Sequence, residues 1–222
     1  MPPLFFLLGF KGFEELMTAV GLTQNTILQP MKLVDKFEFK DIDLIAQFLK
    51  SFEGFESKAY DLKDGRFTLG YGQTNWLTPA GGIIRPVRLG DSIDESNAHL
   101  QLYYYYIKVI PSLNLFLFKN GYKLHPRLVA MLVEFLYGTG PAGLSYSFFK
   151  NICAQCNNSN DEKKIASIYL NETIKYLKEI KGGVRWIKFG LGWSRRRVAA
   201  TDYIKGELKP KIWYDRNIRK PL

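Results

Sequence analysis

Acidic residues are the minority charge in this chain, 21 Asp and Glu against 31 Lys and Arg over 222 residues, for a formal net charge of +10. That imbalance favours anionic partners: nucleic acid, an anionic membrane face or a charged polymer such as a cell wall. Histidine and cysteine are scarcer still, two of each. A closed structural zinc site takes four ligands. His99 and His125 stand far in sequence from Cys153 and Cys156. The "CAQC" pair therefore reads as two ordinary thiols rather than half a metal site or a redox couple. No apolar run reaches the ~20 residues of a membrane span. The apolar opening "MPPLFFLLGF" has no basic segment before it, and its first charges, Lys11, Glu14 and Glu15, come after it. A secretory signal is not expected from that order. Repeats and low-complexity tracts are missing as well.

What is present is 46% apolar content, enough for one well-buried core. Residues 1–36 read as a separate arm, with Leu4, Leu7, Leu8, Phe13, Leu16, Met17 and Val20 on one amphipathic stripe. Exposed Phe5, Phe6, Leu7, Leu8 and Phe10 would make an apolar docking patch. Asp41 opens a helix with Ile42, Leu44, Ile45, Phe48, Leu49 and Phe52 on one side, and Gly54 ends it. "KAYDL" and "RFTLGYG" form a hairpin through Lys63-Asp64-Gly65. "TPAGGIIRPVRLGDSI" reads as loop with at most a short strand. A helix follows in "IDESNAHLQLYYYYIKVI", capped by Ser92 or Asp94. The tetrad Tyr103 to Tyr106 is too closely spaced for one helix face and reads as half core, half surface. "HPRLVAMLVEFLYGTG" is the candidate for a buried central helix, with Pro126 in its first turn and Gly138 and Gly140 past its end. Helices are also expected in "DEKKIASIYLNETIKYLKEI" and "SRRRVAATDYIKGE". The fold class is α+β: mainly helical, with a small β lobe near the start of the domain.

Glu53 stands at a helix end between Phe52 and Phe55. Partial desolvation there raises a carboxyl's pKa, which suits a general acid that protonates a leaving oxygen. The ordinary alternative is a solvated helix-end glutamate. The hairpin beyond it carries Asp61, Asp64 and the Thr68 hydroxyl, and glycosidases commonly set two carboxyls about a sugar bond. Gly70 and Gly72 admit either close ligand approach or strand curvature.

Glu53, Gly54, Ala59, Tyr60, Gly65, Thr68, Gly70, Tyr71, Gly72 and Thr74 fall in register with E-G-x-x-x-x-A-Y-x-D-x-x-G-x-x-T-x-G-Y-G-x-T. In this stretch the chain resembles the phage-type lysozymes, muramidases found mainly as phage endolysins. "LGDSIDESNAHLQL", "VEFLYGTGPAGLSYSFF" and "GGVRWIKFGLGWSRRRVAATDYIKG" resemble later segments of the family, so the likeness runs from Asp41 to Gly206. It departs at the family's aspartate, which is Leu62 here, with Asp61 one residue early and Asp64 two late. Gln73 replaces a usual His, Gly138 an Asn, and Ala200 falls near a closing Glu.

The resemblance implies a lysozyme-like domain over 37–208, followed by a basic tail, 209–222. It implies Glu53 as general acid, Thr68 as holder of a water, and Tyr71 and Gln73 on the substrate, with no metal or organic cofactor. For the partner of Glu53 three possibilities stand: Asp61, turned inward by a bulge; Asp64; or none. At least one of Arg195, Arg196 and Arg197 is expected to pack inside the helical part. The implied reaction is hydrolysis of the β-1,4 bond between N-acetylmuramic acid and N-acetylglucosamine in bacterial peptidoglycan, for phage lysis or host penetration. The rivals are a lytic transglycosylase using Glu53 alone and a non-catalytic virion part. Residues 1–36 would dock onto other virion proteins or a membrane surface. The expected location is the virion, or the host cytoplasm before release to the wall. Nucleic acid ranks last as a partner, for want of a motif.

Overall fold

The computed structural model describes residues 15, 18, 39–61, 63, 65–179 and 184–207. The tail 209–222, the arm 1–36 apart from Glu15 and Thr18, and the hairpin positions Leu62 and Asp64 lie outside the described residues. The side chains of 184–194, Arg185 and Lys188 among them, lie outside them too. The described chain forms two compact units, one reaching Asn114 and one starting at Leu115.

The first unit begins with α1, Phe39–Phe52. Its apolar stripe is fully buried at Ile42, Ile45, Ala46 and Leu49. Asp41 sits in the first turn and Lys50 in the last, matching the helix dipole at both ends. Two antiparallel ribbons follow, β1 (Glu56–Asp61) with β2 (Phe67–Gly70), and β3 (Asn75–Leu77) with β4 (Ile83–Pro86). Of the second ribbon, β4 is the one short strand allowed in the stretch read as loop, and β3 lies just before that stretch. Both strands are short, and Gly81, Gly82 and Pro86 mask the alternation that would announce them. Leu69, Tyr71, Val87, Ile93 and Ala98 form the buried cluster here, with Phe55, Ala59, Phe67 and Trp76 packed against it.

Helix α2, Glu95–Lys119, starts at an Asp94 cap whose Oδ1 accepts the Asn97 N–H at 2.8 Å. Gln101 on α2 holds β3 from both sides: its Oε1 accepts from Leu77 N at 2.7 Å and its Nε2 donates to Leu77 O at 3.0 Å. Tyr103 donates its hydroxyl to Asp43 of α1. Tyr103, Tyr104 and Tyr106 are all buried and only Tyr105 is half-buried, so the tetrad is mostly core rather than half surface.

The second unit is helical. After the end of α2 come α3 (Pro126–Thr139), a 3-10 turn (Pro141–Ser145), α4 (Ser147–Gln155), α5 (Glu162–Glu179) and α6 (Val184–Lys205). Every residue of α3 from Leu128 to Leu136 is buried, as expected of the central helix. Gly138 lies inside α3 and Gly140 caps it. That burial includes Glu134, which is met by Arg196 and Arg197 of α6. Arg197 also donates to the Tyr169 hydroxyl at 2.6 Å and lies 5.1 Å from the Phe135 ring centre. Two of the three consecutive arginines are therefore core residues and not part of a solvated face.

Candidate active site around Glu53

Helix α1 ends one residue before Glu53, whose N–H still donates to Leu49 O at 2.9 Å. The side chain is half-buried between Phe52 and Phe55. Phe55 in turn packs its ring 5.7 Å from that of Tyr71. Glu53 thereby leaves the helix with a fixed backbone, pointed at the turn that follows β2.

That turn runs from Leu69 to Gln73. Leu69 N donates to Gln73 O at 3.1 Å, and Gln73 N returns a bond to Leu69 O at 3.0 Å. Gly70 and Gly72 take φ of +61° and +89°, the left-handed region that side chains disfavour. A Cβ at Gly70 would run into the Gln73 amide, so the fold itself accounts for that glycine. Gly72 is different: a Cβ there would stand 3.8 Å from the Glu53 carboxylate, so Glu53 faces this turn. Beside Gly54 a Cβ would meet nothing within 4 Å, which leaves the approach along the glutamate's own backbone open.

Gln73 is committed to the fold. Its Oε1 accepts the Tyr71 N–H at 2.7 Å and its Nε2 donates to Ala98 O at 2.9 Å, which ties the turn to α2. Tyr71 is buried, and its hydroxyl donates to Glu95 at 2.6 Å. Lys50 completes this cluster, 3.7 Å from the Glu95 carboxylate and 5.0 Å from the Tyr71 ring centre. The two residues expected on the substrate are thus positioners of the turn opposite Glu53. The Tyr71 hydroxyl, and behind it Lys50, lowers the Glu95 pKa. His99 lies next in the network, against Tyr103, and burial together with the Lys50 charge brings its pKa down to about 4. Its Nε2 is buried with no hydrogen-bond partner among the described residues. Sequence reasoning gave Lys50 and Glu95 no role and named His99 only in weighing a metal site. Only Lys50, one helical turn before Glu53, left a signal in the local spacing.

Thr68 is buried, and its hydroxyl has no hydrogen-bond partner among the described residues. Across the ribbon Thr68 pairs with Tyr60, and Phe67 with Asp61. Directly opposed residues share a face and successive ones alternate. Asp61 therefore lies on the opposite face from Thr68. The register does shift, but between Glu56 and Tyr60, ahead of Asp61. Asp61 is exposed, and its Oδ1 accepts the Lys63 N–H at 2.6 Å, a local bond that shapes the hairpin turn, where Lys63 has φ +57°. The structure brings Glu53 and Gly72 together but does not bring Asp61 to the Thr68 face. Among the described residues no three His, Cys, Asp or Glu side chains gather as a metal site.

The family model described as phage lysozyme matches residues 50–186. Among solved structures, an endolysin from Escherichia coli O157:H7 phage FAHEc1 matches with a TM-score of 0.53 at 22% identity, covering 79% of this chain and 97% of that one. The muramidase domain of SpmX from Asticaccaulis excentricus gives 0.48 at 19% identity, covering 76% and 97%. No curated protein matches. The endolysin match establishes the α+β, lysozyme-like fold.

Proposed function

The chain belongs to the phage lysozyme family, and from that premise we propose that it hydrolyses the β-1,4 bond between N-acetylmuramic acid and N-acetylglucosamine with Glu53 as general acid. Family membership supports peptidoglycan degradation by a lysozyme-like glycosidase. The observation that carries the residue assignment is the Glu53 carboxylate held at the end of α1 against Gly72 of the signature turn. Glu53 gives its proton to the glycosidic oxygen as the bond to the sugar carbon breaks. Water then adds to the freed sugar carbon and gives up its proton to the Glu53 carboxylate, which restores the acid. Glu53→Gln keeps the shape and removes the proton. Its expected effect is a ~10²–10⁴-fold loss of wall cleavage with little change in folding, measured by turbidity clearing and by thermal melting. A variant that keeps more than about a tenth of the wild-type rate would sink the assignment.

The placement of Asp61 favours a second reading, in which Glu53 acts alone. It would first protonate the leaving oxygen. As a carboxylate it would then take the proton of the sugar's 6-hydroxyl, whose oxygen closes onto the same sugar carbon. Mass spectrometry of the released muropeptides separates the two. Reducing ends mean hydrolysis, whereas 1,6-anhydro ends together with a fully active Asp61→Asn variant mean transglycosylation.

A further inference from the structure

Helix α2 keeps Leu117 fully buried, yet near its end Leu115 is 51% and Phe118 65% exposed. At ~100° per residue Leu115, Phe118 and Lys119 share one face. The helix then stops abruptly. Gly121, at φ +66°, donates to Phe118 O at 3.0 Å, and Tyr122 donates to Leu117 O at 3.0 Å, the paired bonds of a Schellman stop. Lys123 is fixed next: its N–H donates to Asn157 Oδ1, and its carbonyl accepts from Asn158 N, each at 2.8 Å. The two apolar side chains are therefore presented on a backbone tied at both sides and not on a loose loop.

The chain that carries them is mainly basic. From Leu115 to Asn160 the only acidic residue is Glu134. It is fully buried on Arg196 and Arg197. Lys119, Lys123 and Lys150 in the same stretch are exposed. Acids resume at exposed Asp161 and at Glu162, which is paired with Arg127. An apolar pair flanked by Lys119 and Lys123 fits a surface that offers acyl chains just beneath phosphate headgroups. A wall polymer would reward the lysines but leave Leu115 and Phe118 in water.

We propose that this face of the helical unit, Leu115 and Phe118 flanked by Lys119 and Lys123, docks the protein onto an anionic lipid surface. The docking is separate from the chemistry at Glu53. It places a wall-degrading enzyme at the membrane side of its substrate.

The test offers the full-length chain three targets: phosphatidylglycerol vesicles, phosphatidylcholine vesicles and purified lipid-free wall. Sedimentation is expected with the first and not the second, weakening as salt rises. The Leu115→Ser, Phe118→Ser double variant is expected to bind anionic vesicles at least ~10-fold more weakly while digesting lipid-free wall at the wild-type rate. Vesicle binding that ignores the double variant, or no preference for anionic vesicles, overturns the proposal. So does retention by lipid-free wall that falls in a Lys119→Glu, Lys123→Glu variant but not in the apolar one, since that assigns the face to a polyanion. Failure of Glu53→Gln to abolish wall digestion would refute the catalytic assignment and leave the vesicle result standing.

Discussion

Gln73 shows how one side chain can set the geometry of a site it does not enter. Its amide bridges Tyr71 N and Ala98 O, and the turn it fixes carries Gly72 to the Glu53 carboxylate. Gln73→Ala leaves the buried Tyr71 N–H without its acceptor, which costs ~1–3 kcal/mol. The expected outcome is a lower urea midpoint at unchanged m-value, with wall cleavage falling further than the small unfolded fraction explains. Gln73→Glu keeps the acceptor for Tyr71 and is expected to recover part of both. If Gln73→Ala is destabilised but every folded molecule cleaves at the full rate, the positioning role is wrong. None of this was legible in the sequence. The signature alignment marked Gln73 only as a replacement for histidine, and its second partner lies 25 residues away. The same blindness hid the Tyr71–Glu95–Lys50 cluster, whose members contact one another across two helices and a turn.

At the scale of elements, the ribbons depend on a few side-chain pins. Asp91 accepts both Arg85 prongs at 2.7 and 2.9 Å, the Trp76 indole N–H at 3.0 Å and Arg88 N at 2.9 Å. The Arg85 guanidinium, helped by those other donors, holds the Asp91 carboxyl well below the usual carboxylate range. Its folded pKa lies below the unfolded value of ~3.9. The stabilisation is therefore complete above that value and is lost as pH falls from there toward the folded pKa. Asp91→Asn is expected to melt lower than wild type at pH 7, with the gap shrinking below pH ~4. A gap that stays constant down to pH ~3 contradicts the pin. The cysteines belong to this scale too. Cys153 and Cys156 are free and buried where α4 ends, the dipole end that disfavours a thiolate. Burial pushes the Cys156 thiol up to about 11 and Cys153 higher still. Both are expected to resist iodoacetamide in the native protein at pH 8 and to react fully in denaturant. The long helices were legible because their apolar period repeats over several turns. The β3–β4 pairing was not: a short strand was allowed where β4 lies, but strands of three and four residues leave no period to read. The tyrosine tetrad misled for a related reason: periodicity assumes one wet face, and here the middle of α2, from Gln101 to Ile110, is buried nearly all round.

At the scale of the whole molecule, Glu134 ties distant parts of the sequence together. One carboxylate serves two guanidiniums inside the helical unit, with Tyr169 and the Phe135 ring closing around Arg197. Removing one side of a buried pair costs ~3–5 kcal/mol because the other charge stays behind. Glu134→Gln is expected to lower unfolding stability by about that amount, read by urea titration, while Arg195→Gln, at a half-buried position, changes it far less. The resemblance had announced that at least one arginine packs inside, but which ones, and onto which acid, depends on contacts more than sixty residues apart.

That separation has a consequence in time. The ribosome delivers Glu134 long before Arg196 and Arg197. Until α6 emerges, the central helix carries an acid whose counter-charges have yet to be made, and the helical unit is expected to stay loosely packed. A chain cut short before residue 196 is therefore expected to be digested by protease between residues 115 and 179, where the finished chain resists.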